Sequence, residues 1–399
     1  MKGIPARIAA HLEAQEQFER AREHALRRHG GRLCDFAYAN AQDRPPQGVR
    51  EALVAAASAP RASDLQYTPY GGATIPRRLV AQWLGQTHGA RFHYRDVVLT
   101  PGAMAALNLV FRALRTDGGR DEAIVIAPCW LDTPLYLENH GYYVRLAPVG
   151  PDLRLDVDRI ASLVTERTRV VVLSQPANPT GLVYTDRELE ALARALERAP
   201  ARPVLVSDEC HRDFVFEGHA PSPVAHYANT CVVYSFGKKV LAQGQRIGFL
   251  AVSPRMDDGA RHREDLARWA RITGFCTPTA LMQRALGTLI EIAPPLELVA
   301  QRSARLASGL RAAGYEVPSP EATFFLYPKV PGDDVAFCAR LAELGVLALP
   351  SRIFHHAGHM RLSVTATDDA IDRAIPLFAE ALASFGRASV DHQQLGGAA

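Results

Sequence analysis

Short apolar runs alternate with longer amphipathic stretches along most of the chain. The longer stretches, such as 103–115 and 186–197, repeat their apolar positions at helical spacing. Most of the short runs are continuously apolar, which is typical of strands covered on both faces. The predicted strands are Asp96–Thr100, Ala123–Ala127, Tyr142–Leu146, Arg169–Ser174, Val204–Ser207, Cys231–Phe236 and Ile247–Val252. This alternation predicts an α/β fold in which a mostly parallel sheet is sandwiched between helices.

The pattern changes after Ile290. Pro294-Pro295 interrupts the chain, and a helix of about 296–314 is predicted to follow. Shorter strands and helices come next, which indicates a smaller α+β lobe. The strands predicted there are Tyr315–Val317, Thr323–Tyr327 and Met360–Val364, and the helices lie near 333–344 and 368–385. We assign the N-terminal residues to the same lobe, so the predicted domains are 46–290 (large) and 1–45 with 291–399 (small).

Composition narrows the class of protein. A chain of 399 residues exceeds one ordinary core, and 48% apolar with 22% charged residues is typical of a globular protein. The net charge of +3 is small and basic residues form no block, so no nucleic-acid partner is expected. Because no apolar run is long enough to span a bilayer and no signal sequence is seen, no membrane partner is expected either.

The cysteines are scattered and show no metal-binding spacing, so no metal site is expected. They are predicted to be buried free thiols of a reducing compartment, which indicates the cytoplasm. The six are Cys34, Cys129, Cys210, Cys231, Cys276 and Cys338.

Lysine is rare in this chain, with four residues among 45 cationic side chains. Two of the four, Lys238 and Lys239, are adjacent and follow the predicted strand Cys231–Phe236. A Schiff base with a carbonyl group requires a primary amine, which arginine does not supply. We therefore predict Lys238 as a catalytic amine, with Lys239 as its competitor and an ordinary surface lysine as the simpler alternative.

Two polar residues follow neighbouring predicted strands. Asp208 comes directly after Val204–Ser207, at the strand end where ligands bind in parallel sheets. Its carboxylate is predicted to keep the nitrogen of a pyridine-type cofactor protonated. The alternative is that Asp208 only caps the N-terminus of the next helix. Asn178 opens Asn-Pro-Thr-Gly after the strand that ends at Ser174. Its amide is predicted to donate to the phenolate oxygen of the same cofactor. The alternative is that these residues only form a turn.

Several donors suit a phosphate. Gly102, Ala103 and Met104 link a strand to a helix whose first N–H groups would face an anion. Ser235 adds a hydroxyl and Arg246 adds a guanidinium, although ordinary local structure explains each of them alone. Amine, carboxylate, amide and phosphate donors together are what a protein must offer pyridoxal phosphate (PLP).

An aromatic ring and a further arginine complete the candidate site. Trp130 follows a predicted strand and is expected to stack on the pyridine ring, with a core tryptophan as the alternative. Arg361, in Met-Arg-Leu-Ser, is expected to bind a substrate carboxylate through two parallel hydrogen bonds, with a surface arginine as the alternative.

The motifs taken together resemble those of the class I/II aminotransferases, the fold-type-I PLP enzymes related to aspartate aminotransferase. The resemblance runs from about Leu33 to about Ser384, nearly the whole chain. The motifs that carry it are Tyr67-Thr-Pro-Tyr-Gly-Gly72, Gly102-Ala103, Pro128-Cys-Trp130, Asn178-Pro-Thr-Gly181, Asp208-Glu209, Ser235-Phe-Gly-Lys238, Arg246-Ile-Gly248 and Arg361-Leu-Ser363.

The resemblance implies a role for each matched residue. Lys238 would form the Schiff base, Asp208 would pair with the ring nitrogen, and Asn178 would contact the ring hydroxyl. Trp130 would stack on the ring, and Arg361 would bind the substrate α-carboxylate.

The resemblance also implies a homodimer with shared active sites. Tyr67 matches a tyrosine that reaches the phosphate of the neighbouring subunit, and a two-fold dimer is the commonest oligomer. The residues expected to hold the phosphate within one subunit are Gly102, Ala103, Ser235 and Arg246.

Three positions depart from the family pattern. His211 stands where a tyrosine is usual, three residues after Asp208, and a related cystathionine β-lyase-like branch also has histidine there. Ala39-Asn40-Ala41 replaces a Gly-x-Pro substrate loop, which leaves Asn40 as a candidate substrate contact. The usual Pro-Gly-Ser is Pro350-Ser351-Arg352, and we hypothesise that Arg352 or one of the histidines at 355, 356 and 359 contacts the substrate side chain, a solvated polar loop being the alternative.

The leading reaction is transamination between an L-amino acid and a 2-oxo acid. Because a fold does not decide chemistry, elimination, replacement or cyclisation with the same cofactor is the first alternative. The second alternative is a non-enzymatic, effector-sensing lobe of a transcription regulator. Such regulators carry an appended DNA-binding module, and residues 1–30 are too short to form one.

Overall fold

The computed structural model describes residues 6–58, 61–116, 119, 121–274 and 277–395. The chain forms two compact units. The smaller unit comprises Met1–Asp43, Asn178–Leu182 and Glu297–Ala399, and the larger unit comprises Arg44–Ala177 and Val183–Leu296. The predicted domain boundaries stay a prediction, and the sequence pattern did not single out residues 178–182 as a part of the smaller unit.

The described helices alternate with strands in the larger unit, and the two longest, the first and the last, belong to the smaller one. They are α1 Ala6–His29, α2 Val49–Ala57, α3 Thr74–Thr87, α4 Ala103–Ala113, α5 Thr133–Asn139, α6 Val157–Leu163, α7 Asp186–Arg198, α8 Phe236–Lys239, α9 Gly259–Ile272, α10 Ala280–Glu291, α11 Leu296–Ala312, α12 Asp334–Leu344 and α13 Asp368–Leu395.

The described strands are short. They are β1 Cys34–Asp35, β2 Val97–Thr100, β3 Glu122–Ala127, β4 Tyr143–Pro148, β5 Thr168–Ser174, β6 Val204–Asp208, β7 Thr230–Ser235, β8 Gly248–Val252, β9 Phe325–Leu326, β10 Val346–Leu347, β11 Leu349–Pro350 and β12 Met360–Ser363.

Seven strands of the larger unit form one sheet, in the order β2-β8-β7-β6-β5-β3-β4. Neighbouring strands are parallel except at β8, which runs antiparallel to both β2 and β7. Every residue of β2, β3, β7 and β8 is buried, because helices cover both faces of the sheet. The predicted α/β fold with a mostly parallel sheet is confirmed.

Three apolar clusters of described residues lie on the faces of this sheet. One joins β-strand side chains to α4 and α9, the second joins them to α2, α3 and α10, and the third joins them to α6 and α7. The second contains an aromatic group in which Trp83 and Phe236 pack against Tyr234 and Phe249, with ring centroids 4.9 to 6.0 Å apart. These rings hold β7, and therefore the turn that follows it, against α3.

The strand register brings several chain segments to one edge of the sheet. Asp208, the last residue of β6, pairs with Val233 in β7, and Ser235 at the end of β7 pairs with Gly248 at the start of β8. Gly248 also pairs with Thr100, the last residue of β2. The residues after β2, β6 and β7 therefore emerge side by side, as ligand-binding residues do in open α/β sheets.

The smaller unit contains two small sheets. Strands β1 and β10 pair in parallel, and β11, β12 and β9 form an antiparallel sheet in that order. The buried Arg302 of α11 links the N-terminal segment to α13, because its Nη2 bonds to Asp43 at 3.2 Å and to Asp368 at 2.7 Å. This ion pair joins segments that are distant in sequence, as the prediction of one lobe from both chain ends requires.

The predicted strand Tyr315–Val317 is wrong. These residues, all within the described part of the chain, form no strand, because the Tyr315 hydroxyl donates to the carbonyl of Phe378 and its ring packs edge-on against Phe337 and Phe378. The predicted strand Thr323–Tyr327 shrinks to two residues, since Thr323 has a positive φ of 67° that ends regular pairing. Side-chain packing against α13 replaces the expected ladder.

Among the helices that the structure describes, none combines the length and the apolar composition that a bilayer crossing requires.

Candidate active site

Lys238 lies in α8, the single turn of helix that follows β7. Its Nζ is 3.0 Å from Nε2 of His211 and 5.9 Å from the ring centroid of Trp130. The side chain is half-buried, whereas that of His211 is only 2% exposed. A primary amine is thus held between an imidazole and an indole at the carboxyl end of the sheet.

Lys239, the other candidate for the catalytic amine, is bonded to the protein core. Its amine is buried and donates to the carbonyl of Ile290 at the end of α10. Burial lowers the pKa of Lys239, and the carboxylates of Asp213 and Glu291 oppose this shift. We therefore assign the structural role to Lys239 and keep Lys238 as the candidate amine.

Asp208 and Cys210 begin the turn after β6. The backbone N–H of Cys210 donates to Oδ1 of Asp208 at 3.1 Å, which fixes the carboxylate at the strand end. Burial and the Asp208 carboxylate raise the pKa of the Cys210 thiol, while the charges of Lys238 and Arg246 lower it. The thiol therefore stays protonated, and the charges of Asp208, Lys238 and Arg246 all lie close enough to Cys210 to shift its pKa.

The same turn is anchored from behind by Glu209, a fully buried carboxylate. It accepts hydrogen bonds from Ser207 at 3.0 Å and from Ser222, contacts Nε2 of His88 at 2.9 Å and forms an ion pair with Arg212. Burial raises the pKa of Glu209, but His88, Arg212 and Ser222 together lower it to about 2. Because burial lowers the pKa of His88, Arg212 is the cation that balances this charge.

An anion-binding arrangement lies where α4 begins. Gly102 has a φ of 84° and caps α4, so the first N–H groups of the helix point out of the strand-helix turn. A Cβ on Gly102 would lie 2.5 Å from Nη2 of Arg246, so only glycine lets the guanidinium approach this closely. Arg246 is exposed and is oriented by a 2.7 Å bond from Nη1 to the carbonyl of Gln243.

This arrangement fits a phosphate. Ala103 is the first residue of α4, and Ser235 lies buried at the end of β7, opposite Gly248. Helix N–H groups, a hydroxyl and a guanidinium are together the donors that a phosphate dianion requires. Met104, also predicted here, has a half-exposed side chain, and its carbonyl accepts from Asn108.

Arg361 occupies a different kind of site in the smaller unit. It is 1% exposed and lies between the rings of Phe325 and Phe354, at 4.1 and 4.6 Å from their centroids. Nη1 donates to Oδ1 of Asn178 at 3.1 Å and Nη2 to the carbonyl of Ala37 at 3.0 Å. Nε has no hydrogen-bond partner among the described residues, and burial lowers the pKa of Arg361 to about 9.

Two predicted residues are not drawn into these clusters. Asn40 is exposed, and its carbonyl accepts from Thr365 at 3.4 Å. The side chain of Tyr67 is fully exposed on the larger unit. Within one subunit, therefore, neither contacts the groups around Lys238 or Arg361 through a described hydrogen bond.

The polar loop before Arg361 is held by its own contacts. Arg352 forms ion pairs with Asp333 and Asp334, and Tyr327 bonds to Nδ1 of His356 at 3.0 Å while stacking on His359 at 4.8 Å. Burial lowers the pKa of His359 to about 4, so this ring is neutral. The hypothesis that this loop contacts the substrate side chain stays a prediction.

Sequence reasoning missed the Glu209 cluster. A carboxylate at the end of an apolar strand needs a buried counter-charge, and Arg212 three residues later was an available signal. Nothing local pointed to His88 or Ser222, which only the fold brings to the carboxylate.

The chain belongs to the aminotransferase class I and II family, whose model matches residues 32–377. It is a PLP-dependent aminotransferase with the fold-type-I architecture, as the resemblance implied. PLP is therefore the cofactor of this enzyme.

Relatives and solved structures agree with this family. The aspartate/prephenate aminotransferase of Thermus thermophilus is 28% identical over 96% of this chain and 99% of its own. The aspartate aminotransferase of Thermotoga maritima is 26% identical over 78% of this chain and 82% of its own. Among solved structures, an amino transferase from Eubacterium rectale has a TM-score of 0.86 at 26% identity, covering 92% of this chain and 94% of its own. The Thermus thermophilus aspartate aminotransferase with maleate has a TM-score of 0.84 at 27% identity, covering 96% and 100%.

The Glu209 cluster generates a stability prediction. We expect Glu209→Gln to lower the free energy of unfolding at pH 7 by about 3 kcal/mol, because it leaves the buried charge of Arg212 without its partner. Since folding lowers the pKa of Glu209 from 4.5 to about 2, the carboxylate stabilises the fold above pH 4.5, and this contribution is lost as the pH falls towards 2. The difference between wild type and variant should therefore shrink over that range in urea unfolding.

Glu217→Gln is the matched control for this prediction. Glu217 is exposed eight residues along the chain, so its substitution should change the free energy of unfolding by less than about 0.5 kcal/mol. Equal effects of the two substitutions at pH 7 would contradict the role of Glu209.

Proposed function

We propose that Lys238 is the residue that bonds covalently to PLP and moves the substrate proton in transamination between an L-amino acid and a 2-oxo acid. The observation that carries this proposal is the Lys238 amine, held 3.0 Å from His211 while the adjacent Lys239 is bonded to the core. Lys238 Nζ would take the proton from the substrate Cα, hold it and release it again.

The cofactor when bound supplies an electron sink for the pair that Cα retains. Asp208 would hold the ring nitrogen of the cofactor, because a carboxylate favours an adjacent positive charge. Trp130 would lie against the ring and shield it from water. The residues proposed to contact the ring oxygen are Asn178 and His211, and those proposed to hold the phosphate are Gly102, Ala103, Met104, Ser235 and Arg246.

We also propose that Arg361 binds the substrate α-carboxylate. Its planar guanidinium is fixed by Asn178, by the Ala37 carbonyl and by two aromatic rings, so little side-chain freedom is lost on binding. Asn40 is proposed as a weaker substrate contact in the same segment as Ala37. The names of the relatives make aspartate the first amino donor to test and prephenate the first acceptor.

The homodimer with shared sites is the assembly that we propose. The stretch around Tyr67 exposes several large apolar or aromatic side chains, a pattern that marks protein interfaces. They are Leu65, Tyr67, Tyr70 and Ile75. We further infer a cytoplasmic location, for which the support is that the five described cysteines are buried free thiols, Cys276 lying outside the described residues.

The first prediction concerns the two adjacent lysines. Lys238→Ala should abolish both the visible absorbance change of bound PLP on adding an amino acid and the formation of a 2-oxo acid, because alanine offers no amine. Lys239→Met, which keeps the apolar stem, should retain both, although it should lower thermal stability. Absorbance and product analysis with aspartate and a panel of other amino acids measure this, and release of ammonia or an unsaturated product would instead favour elimination.

The second prediction concerns Arg361. Arg361→Lys should raise the KM for the amino acid by about tenfold or more, because lysine cannot replace two parallel hydrogen bonds to a carboxylate. Arg305→Lys, on the partly exposed face of α11, should leave KM within about twofold. Steady-state kinetics with both variants would contradict the assignment if the two KM values rose equally.

The third prediction tests the shared site. Lys238→Ala and Tyr67→Ala chains should each lose activity alone, and a mixture that has exchanged subunits should regain it, because one site of each mixed dimer has both residues. Sedimentation velocity should show a dimer throughout. A monomer, or a mixture with no regained activity, would rule out the shared site.

A further inference from the structure

His211, which we propose as a contact of the cofactor's ring oxygen, also contacts Lys238. Its Nε2 lies 3.0 Å from Nζ of Lys238, within hydrogen-bonding distance, and the imidazole is nearly fully buried. The contact joins residues 27 positions apart, on turns after two different strands. It is therefore set by the register of β6 and β7 and not by local chain geometry.

The turn that carries His211 is rigidly held. The N–H of Glu209 donates to Val233 in β7 at 2.8 Å, Arg212 donates to Glu209 at 3.1 Å, and Phe214 donates to the carbonyl of His211 at 3.0 Å. The buried Glu209 side chain fixes the same turn through Ser207, Ser222 and Arg212. An imidazole on such a turn has little freedom to follow a moving partner, so it defines a fixed position for the amine.

The charged and titratable groups around this pair come from three parts of the chain. Asp208 and Cys210 face the pair from the end of β6, Arg246 faces it from the segment before β8, and Tyr136 with Asp132 lies beside Trp130 and Arg246 from α5. Burial raises the pKa of both Cys210 and Tyr136, so these two groups are neutral, and the nearby carboxylates are those of Asp208 and Asp132 while Arg246 is a nearby cation. Two positive charges 3.0 Å apart are unfavourable, so a protonated Lys238 requires a neutral imidazole as its acceptor.

We propose that His211 is a positioning residue for the freed amine of Lys238, which it holds by accepting a hydrogen bond at Nε2. This inference rests on the assignment of Lys238 under the proposed function. The substrate Cα–H bond breaks, an N–H bond forms on Nζ, and the electron pair stays on the substrate. The resulting ammonium of Lys238 then donates to Nε2 of His211, and this hydrogen bond keeps the proton on Nζ within the site.

The length of the side chain at position 211 provides a direct test. A glutamine places its amide at about the reach of Nε2, so His211→Gln keeps an acceptor for Nζ. An asparagine reaches only as far as Nδ1, and a phenylalanine keeps the ring without an acceptor. Circular dichroism of each variant excludes a misfolded protein as the cause of a change.

The first measurement needs no turnover. The chain has four lysines, so acetylation of cofactor-free protein followed by peptide mass mapping reports Lys238 against the exposed Lys329 in one digest. His211→Asn and His211→Phe should raise the Lys238-to-Lys329 labelling ratio about tenfold, because the amine loses its acceptor. His211→Gln should stay within about twofold of wild type, as should His226→Phe, whose ring bonds to Asp186 instead.

The second measurement separates positioning from binding. In the holoenzyme, His211→Asn and His211→Phe should lower kcat on the order of 100-fold with the KM of the amino acid unchanged, and His211→Gln should recover most of it. The proposal would be overturned if the labelling ratio or kcat were the same in the wild type and in the Asn, Phe and Gln variants of His211. If Lys238→Ala retained transamination, the function assignment itself would fail, whatever the labelling ratios show.

Discussion

The buried carboxylate of Glu209 is the constraint on which the candidate active site depends. A charge without solvent is costly unless it is paired and hydrogen-bonded, and here Arg212, His88, Ser207 and Ser222 supply those partners. The partners converge from separate segments of the larger unit, so the turn after β6 has one favourable conformation. Asp208 and His211 flank Glu209 on that turn, and their positions relative to Lys238 follow from it.

The two units present different kinds of candidate anion site. Around α4 the donors are backbone N–H groups, a hydroxyl and an exposed guanidinium, which suits a doubly charged phosphate that stays partly hydrated. Arg361, which we propose for the substrate carboxylate, is instead buried between two phenylalanine rings, where a bound carboxylate would replace the water that the guanidinium has lost. The first arrangement would suit a cofactor that is held through the reaction, and the second a substrate that must be selected.

The sequence predicted the sheet well because its strands are continuous apolar runs. Asp208, Ser235 and Lys238 lie where that pattern puts them, at or just after strand ends, while their roles stay predictions. The pattern failed at Tyr315–Val317, where packing against α13 overrides β propensity. It also gave no means to find contacts between distant residues. The Glu209–His88 and Arg361–Asn178 bonds span 121 and 183 positions, and the burial of Lys239 against Ile290 likewise depends on the fold.

We propose that Lys238 is the lysine available for chemistry, because the adjacent Lys239 is held by a hydrogen bond to the carbonyl of Ile290. Borohydride reduction of the PLP-loaded protein followed by peptide mass mapping tests it most directly, because reduction makes the bond between amine and cofactor permanent. The account predicts a cofactor-derived mass on residue 238 and none on residue 239. A label on Lys239, or an unlabelled Lys238, would contradict it.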